Sequence, residues 1–360
     1  MKLLRIERGV FYCSMINRIL IVCGLILFVI PVSAQYSKST EQIENISVSD
    51  SSFSGLNQLT IYVIPSKVKY DWTSPSTLYK SFVKNYKRNL FSKDNYILGH
   101  AFMELKTEKL SEKILTGMRS SSRKEQKELL LKEGYGLSIL GADLEGFLEN
   151  SAVLEQTKKK FSRKGRLAFM TFYISDEATD RMISFFQSYQ TGIDSMGSSG
   201  GHYGGAFWPR YNGEGSGCSA FVVSFLDLAG LLIEEFDEWM VGVNIPMDLI
   251  GGPYNDNNDV RLRDIRRCNS WADDTGPEMK TAEYIQLYDP YLIYEWINEK
   301  WETDNIKDGI IATPLLLNAS RGIRIDGRNQ SLPEDDHIFM DREEPSIFID
   351  SYHEKDELGK

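Results

Sequence analysis

Two groups in this 360-residue chain combine a reactive side chain with surroundings that suit covalent chemistry: the thiol of Cys218 and the imidazole of His100. Cys218 lies in the stretch Gly213 to Leu232, GEGSGCSAFVVSFLDLAGLL. Gly213, Gly215 and Gly217 lead into it. Behind it, Phe221, Val222, Phe225, Leu228, Ala229 and Leu232 recur at the spacing of one buried helical face. Gly230 sits where such a helix would end. A thiol in the first turn feels the partial positive charge of the helix N-terminus, which favours the thiolate. The first backbone N–H groups are then available to a developing oxyanion. The plain alternative is a small residue opening a core helix, because an unreactive cysteine packs well inside.

The imidazole belongs to Tyr96–Leu105, YILGHAFMEL. Read with a two-residue period, Ile97, Gly99, Ala101, Met103 and Leu105 form one apolar face, and Leu98, His100, Phe102 and Glu104 form the other. The spacing therefore predicts a strand with room beside the ring. The other three histidines are worse placed: His202 lies in a glycine-rich loop, and His337 and His353 lie in an acidic tail. A nucleophilic thiolate needs its general base within hydrogen-bond reach, which a helix start beside a strand can supply.

The approach to Cys218, Gly192–Gly217, carries Tyr203, Phe207, Trp208 and Tyr211. Tyr203, Trp208 and Tyr211 are the candidate substrate contacts. Within the loop, Gly197-Ser198-Ser199-Gly200-Gly201 matches G-x-S-x-G formally, but no apolar strand leads in and no helix follows.

The elements that position these groups follow from the rest of the chain. Arg18 precedes the apolar run Ile19 to Val32, which ends at Ser33-Ala34, so residues 1–34 read as a secretory signal cleaved after Ala34. Met15 begins a more typical signal than Met1 does. Cys23 has too little apolar sequence before it for a lipoprotein signal, and the run is short for a retained span. The expected location is therefore secreted or periplasmic, with no membrane span left after signal removal. KDEL at Lys355–Leu358 is followed by two residues and is no retention signal. Residues 35–57 are polar and serine-rich, and read as a linker.

A globular domain is expected over residues 58–302. Leu59–Ile64 reads as a strand and Ser76–Leu90 as a helix after a Ser-Pro start. Residues 107–133 read as a basic surface insertion with helices over Lys109–Met118 and Ser122–Glu133. Gly134–Leu140 and Leu144–Leu148 read as strands, as does Arg166–Ile174. A helix capped by Ser175 is expected to run to about Tyr189. Residues 280–302 are aromatic-rich and partly helical. Residues 303–360 turn strongly acidic and read as a peripheral extension.

Hydrophobic residues make up 42% of the chain and the net charge is −10. That composition allows a real core, and without a basic stripe it argues against nucleic acid as a partner.

A His on a strand (LGHAFMEL), then a strand and capped helix (FMTFYISDEATDRMISFF), then a glycine approach to Cys at a helix start (YNGEGSGCSAFVVSFLDLAGL) resemble the circularly permuted papain-like, NlpC-related hydrolases. That superfamily includes the relatives of lecithin retinol acyltransferase. The resemblance covers roughly residues 59–235. It implies an α+β, permuted papain-like fold, with an antiparallel sheet packed against a helix that carries the cysteine at its N-terminus. It further implies Cys218 as nucleophile, His100 as general base, no cofactor, and a peptide, peptidoglycan or other acyl substrate. A third, orienting polar residue is expected beyond the His. Glu104 shares its face but stands about 13 Å along the strand, and Ser138 and Glu145 are alternatives.

Two competing uses of the same residues remain, and one further motif invites a metal. Once the signal is removed only Cys218 and Cys268 are left, and an exported chain with two cysteines invites a disulfide. That pairing would leave a non-catalytic secreted binding module of the same fold. Cys218, Cys268, His100 and His202 could in principle hold zinc, although none stand at ligand spacing and no metal is expected. Asn255–Asp259, NDNND, lacks the glycine and glutamate of a calcium loop and reads as a solvated turn.

Overall fold

The structure is a computed structural model that describes residues 44–45, 55–89, 96, 98–121, 123–194, 201–273, 281–303, 306, 310–334, 337–344 and 346–351. The signal segment, most of the linker and the first four residues of the G-x-S-x-G match, 197–200, lie outside the described residues. Ile43–Lys360 forms one compact unit.

Twelve strands and seven α-helices are described within it. The strands are β1 (Glu44–Asn45), β2 (Asn57–Ile64), β3 (His100–Lys106), β4 (Ile114–Thr116), β5 (Met118–Ser120), β6 (Leu144–Leu148), β7 (Ala168–Ile174), β8 (His202–Tyr203), β9 (Met240–Pro246), β10 (Ala282–Tyr288), β11 (Thr313–Leu317) and β12 (Ser320–Asp326). The helices are α1 (Pro75–Asn89), α2 (Arg123–Leu131), α3 (Ser151–Ser162), α4 (Asp176–Asp194), α5 (Cys218–Leu228), α6 (Leu262–Arg267) and α7 (Pro290–Thr303).

The main sheet has seven strands in the order β1-β11-β12-β7-β2-β3-β4. Its pairings are antiparallel except β1 with β11 and β12 with β7. The architecture is thus α+β with largely antiparallel sheets. A three-stranded sheet, β5-β6-β8, and the hairpin β9-β10 complete it.

Alternation along the central strands feeds two cores. Leu59, Ile61 and Val63 of β2 join Ala101, Met103 and Leu105 of β3 on one face, against Met182 and Phe185 of α4, Phe221 and Phe225 of α5, and Trp296 of α7. Tyr62, Ile64, Phe102 and Phe169 point the other way, onto Leu154 and Phe161 of α3. Covered on both sides, β2 is apolar almost throughout, as LTIYVI suggests.

Several expected elements are corrected. Residues 109–118 are no helix: Ile114–Thr116 pairs with β3, and Met118–Ser120 pairs with β6. Leu137–Leu140 is a 3-10 turn rather than a strand. The largest correction concerns residues 303–360, which are not peripheral. β11 and β12 enter the main sheet beside β7, and Phe348 is fully buried. Their apolar alternation is short and set among acidic residues, so composition masks it.

Candidate active site

His100 opens β3 because Gly99 precedes it at φ 90, a left-handed backbone angle that L side chains rarely adopt. A Cβ at Gly99 would also stand 3.1 Å from the Ile64 carbonyl oxygen and from Pro290 Cβ. The expected strand from Tyr96 therefore starts four residues late, and the turned-back segment lays Tyr96 over the imidazole. The ring centroids are 4.4 Å apart and the planes 2° apart.

Cys218 opens α5, with Gly217 at the cap position (φ −77, ψ 160) and no side-chain cap. Every α5 residue but Asp227 is buried, so the helix is apolar all round, as one packed within a core must be. The positively charged partner of Asp227 is the nearly buried Arg210. Beyond α5, Leu232 is 37% exposed and falls off the predicted buried face, since Gly230 turns the chain at φ 67.

The carboxylate at the imidazole is Glu149, one residue past β6 and one before Asn150, whose side chain caps α3 by accepting from the Ala152 N–H at 2.8 Å. The Glu149 N–H donates to the Gly117 carbonyl at 2.9 Å. Its Oε2 is 2.5 Å from His100 Nε2. Its Oε1 accepts from the Tyr96 hydroxyl at 3.0 Å and from Arg119 Nη1 at 3.4 Å. Nε2 being taken, Nδ1 is the ring nitrogen left for the Cys218 thiol, which favours the charged imidazole. The Ala101 backbone and Tyr203 also favour the charged form of the thiol.

His100 is 2% exposed, Glu149 4% and Cys218 8%. Burial alone would push the imidazole down. The Cys218 thiol and the Glu149 carboxylate, which accepts from Nε2, outweigh it with their charges and raise His100 to about 9. Burial would likewise raise the thiol and the carboxyl. The imidazolium, through its hydrogen bond and its charge, instead holds both Cys218 and Glu149 below their ordinary values. Tyr203 is raised well above its ordinary value, first by burial and then by the neighbouring thiolate charge, so it remains a neutral donor. Glu149, His100 and Cys218 thus form one buried group whose charged forms favour one another.

The other residues singled out from the sequence fall as follows. Glu104 does not serve His100; its carboxylate accepts from Lys113 Nζ at 2.8 Å and Lys158 Nζ at 2.7 Å. Ser138 donates to the Gly251 carbonyl at 2.9 Å, and Glu145 accepts from Ser121 at 2.7 Å. Cys218 and Cys268 are both free, which removes the disulfide; Cys268 Sγ donates to the Ser270 carbonyl at 3.1 Å. His202 Nδ1 is 2.8 Å from Asp143. No group of three His, Cys, Asp or Glu side chains among the described residues is arranged to hold a metal, at NDNND or elsewhere. Of the three aromatic candidates, Tyr203 is the one that acts on the charge of the thiol. Trp208 packs on Tyr288 with centroids 6.0 Å apart, and Tyr211 lies under Arg342 at 4.4 Å.

Glu149, Tyr96 and Arg119 were missed. Glu149 reads as an ordinary acid between a strand and a helix. The signal that could have found it is the capping asparagine next door, which fixes the backbone at that junction. No helix among the described residues is long and apolar enough to cross a membrane. Comparison of the chain with protein-family models, with curated proteins and with solved structures finds no match.

Proposed function

We propose that this chain is an exported cysteine hydrolase of permuted papain-like type, cleaving an amide or related acyl bond. One observation carries the reading. A buried imidazole is hydrogen-bonded through Nε2 to a carboxylate, and its strand packs against the helix that opens with a buried thiol, whose charge and the ring's favour each other. The order of the residues along the chain, His before Cys, also supports it.

Cys218 Sγ, held as thiolate by the imidazolium, attacks the acyl carbon and opens the carbonyl to a tetrahedral oxyanion. The N-terminal N–H groups of α5 and the neutral Tyr203 hydroxyl face the developing charge. His100 gives its proton to the leaving amine or alkoxide, and the acyl group stays on sulfur. The now neutral imidazole then takes a proton from water, the hydroxide attacks the thioester, and the acid leaves as Cys218 regains its thiolate form. Glu149 keeps the ring in register and favours its charged form, as an orienting carboxylate does in hydrolytic triads generally.

Alkylation with iodoacetamide tests this on the full chain, with the two thiols read separately by peptide mass spectrometry. Cys218 is expected to react below pH 8 faster than Cys268, and to lose that advantage in His100→Ala. If Cys218 stays inert while Cys268 reacts, or if His100→Ala changes nothing, the hydrolase reading fails and a binding module is left.

A further inference from the structure

Arg119 is the exposed end of the network around His100. It sits on β5 in register with Phe147 of β6. One step further along the same ladder, the Gly117 carbonyl accepts the Glu149 N–H at 2.9 Å, so Arg119 and Glu149 are diagonal neighbours on one face. A Cβ at Gly117 would stand 2.8 Å from Phe102 Cβ; the missing side chain lets this segment lie against β3 and brings Arg119 to the site. There the guanidinium lies over the Tyr96 ring at 5.2 Å, and its Nη1 donates to Glu149 Oε1 at 3.4 Å. The Arg119 side chain is 28% exposed, against 2% for the carboxylate it meets. Among the described residues, Glu149 is the one acid that pairs with Arg119.

Glu149 is therefore shared between two cations. Its Oε2 meets His100 and its Oε1 meets Arg119 and the Tyr96 hydroxyl. The titratable groups facing this pair are Tyr96, Cys218 and Tyr203, with Arg119 as the fixed charge. Burial raises both tyrosines above their ordinary value, so neither adds a charge. In the resting site two anions, Glu149 and the Cys218 thiolate, thus face two cations, His100 and Arg119. The balance changes during the hydrolysis proposed above, on which this inference rests. Once the acyl group is on sulfur and the leaving group has taken the His100 proton, thiolate and imidazolium are both gone. One cation then remains for a buried carboxylate, which is costly to leave without any.

We propose that Arg119 is a positioning residue that holds Glu149 ionised while His100 is neutral, so that the carboxylate can favour the return of a proton to the imidazole during thioester hydrolysis. Sharing works against the imidazolium. With Arg119 present, the anion left behind when the Glu149–His100 pair gives up its proton still has a counter-charge. Without it, the pair should keep that proton to a higher pH. A role in packing alone predicts the reverse, because a loosened Glu149 would let the buried imidazole fall.

NMR titration of the His100 ring in the full-length Cys218→Ala protein tests this, since position 218 then carries no charge, as in the acyl-enzyme. Adding Arg119→Gln should raise the His100 midpoint by about one pH unit. Arg119→Met, which keeps an apolar stem, gives the same comparison should the glutamine variant fail to fold. Adding Arg119→Lys, which keeps the charge, should leave the midpoint nearly where it was. With Glu149→Gln also present, Arg119→Gln should move the midpoint by less than about half as much, because the effect runs through the carboxylate. The proposal is overturned if the midpoint falls or stays put in Arg119→Gln, if Arg119→Lys raises it as far, or if the shift is as large without the Glu149 charge. Those results would leave the hydrolase reading standing. An inert Cys218 in the alkylation test would instead remove the role in turnover, whatever the midpoints do.

Discussion

Tyr96 lies flat on His100, 4.4 Å from ring centre to ring centre, and the same residue donates its hydroxyl to the carboxylate that holds His100. One side chain therefore fixes both the tilt of the imidazole and the position of its acidic partner.

Tyr96→Phe separates those two roles. The stack is kept and one donor to the buried Glu149 is lost, a change on the order of 1 kcal/mol for a single hydrogen bond. Thiol reactivity at neutral pH is expected to fall about three- to tenfold with little change in melting temperature. Tyr96→Ala, which also removes the stack, should fall further. Equal rates in all three proteins would show that the ring needs no such support.

Glu149→Gln keeps the shape and removes the charge. The imidazolium then loses its charged partner, and His100 should drop from about 9 toward its ordinary value near 6.5. The alkylation rate of Cys218 near neutral pH is expected to fall about 10- to 100-fold, as befits a hydrogen bond to a charged group. Titration of the imidazole by NMR reads the shift directly, and an unmoved His100 would refute the role given to Glu149.

The pH dependence has a definite sign. Turnover needs the thiolate and the imidazolium together, so activity should rise at a pH below the thiol's ordinary 9.0 and fall as pH passes about 9, where His100 loses its proton. For stability, the raised His100 contributes fully below its unfolded value of 6.5, and that contribution is lost as pH rises through about 9. The lowered Glu149 contributes above its unfolded 4.5, and its share is lost as pH falls. Urea midpoints of wild type and Glu149→Gln should differ most between those two unfolded values. A difference that grew on either side of that window would contradict this linkage.

Gly99→Ala tests the backbone that starts β3. A side chain there meets the Ile64 carbonyl and must adopt a positive φ, at a cost of roughly 1–3 kcal/mol. The expected result is a lower melting temperature together with a slower Cys218, because His100 follows directly. A stable but inactive variant, or the reverse, would uncouple the turn from the site.

Much of this arrangement can be read from residue types alone. Cys218 and His100 stand out because glycines and apolar periodicity frame them, and β2, β7 and α4 announce themselves by long buried runs. Glu149 stays hidden, since a lone acid at a strand exit looks like any solvated one until its register with Gly117 is known. Glu104 misleads for a related reason: sharing a strand face with His100 brings it no nearer than four residues of extended chain. Over 109–118, KLSEKILTGM, charged residues suggest a surface helix, whereas Ile114–Thr116 is recruited by the open edge of β3. Such pairing is decided by tertiary context rather than by local preference.

Ile323→Ala tests the late strands. Ile323 of β12 is fully buried, and truncating it should cost about 2–5 kcal/mol, measured as a lower urea midpoint. An unchanged midpoint would return residues 303–360 to the periphery.

Because β12 sits between β7 and β11, the middle of the main sheet is completed by residues far downstream of the helix that bears the thiol. A growing chain would hold β7 with one edge bare, and its assembly waits on contacts of very long sequence separation. The thiol helix is therefore translated well before the scaffold behind it can close, and full reactivity waits on β12.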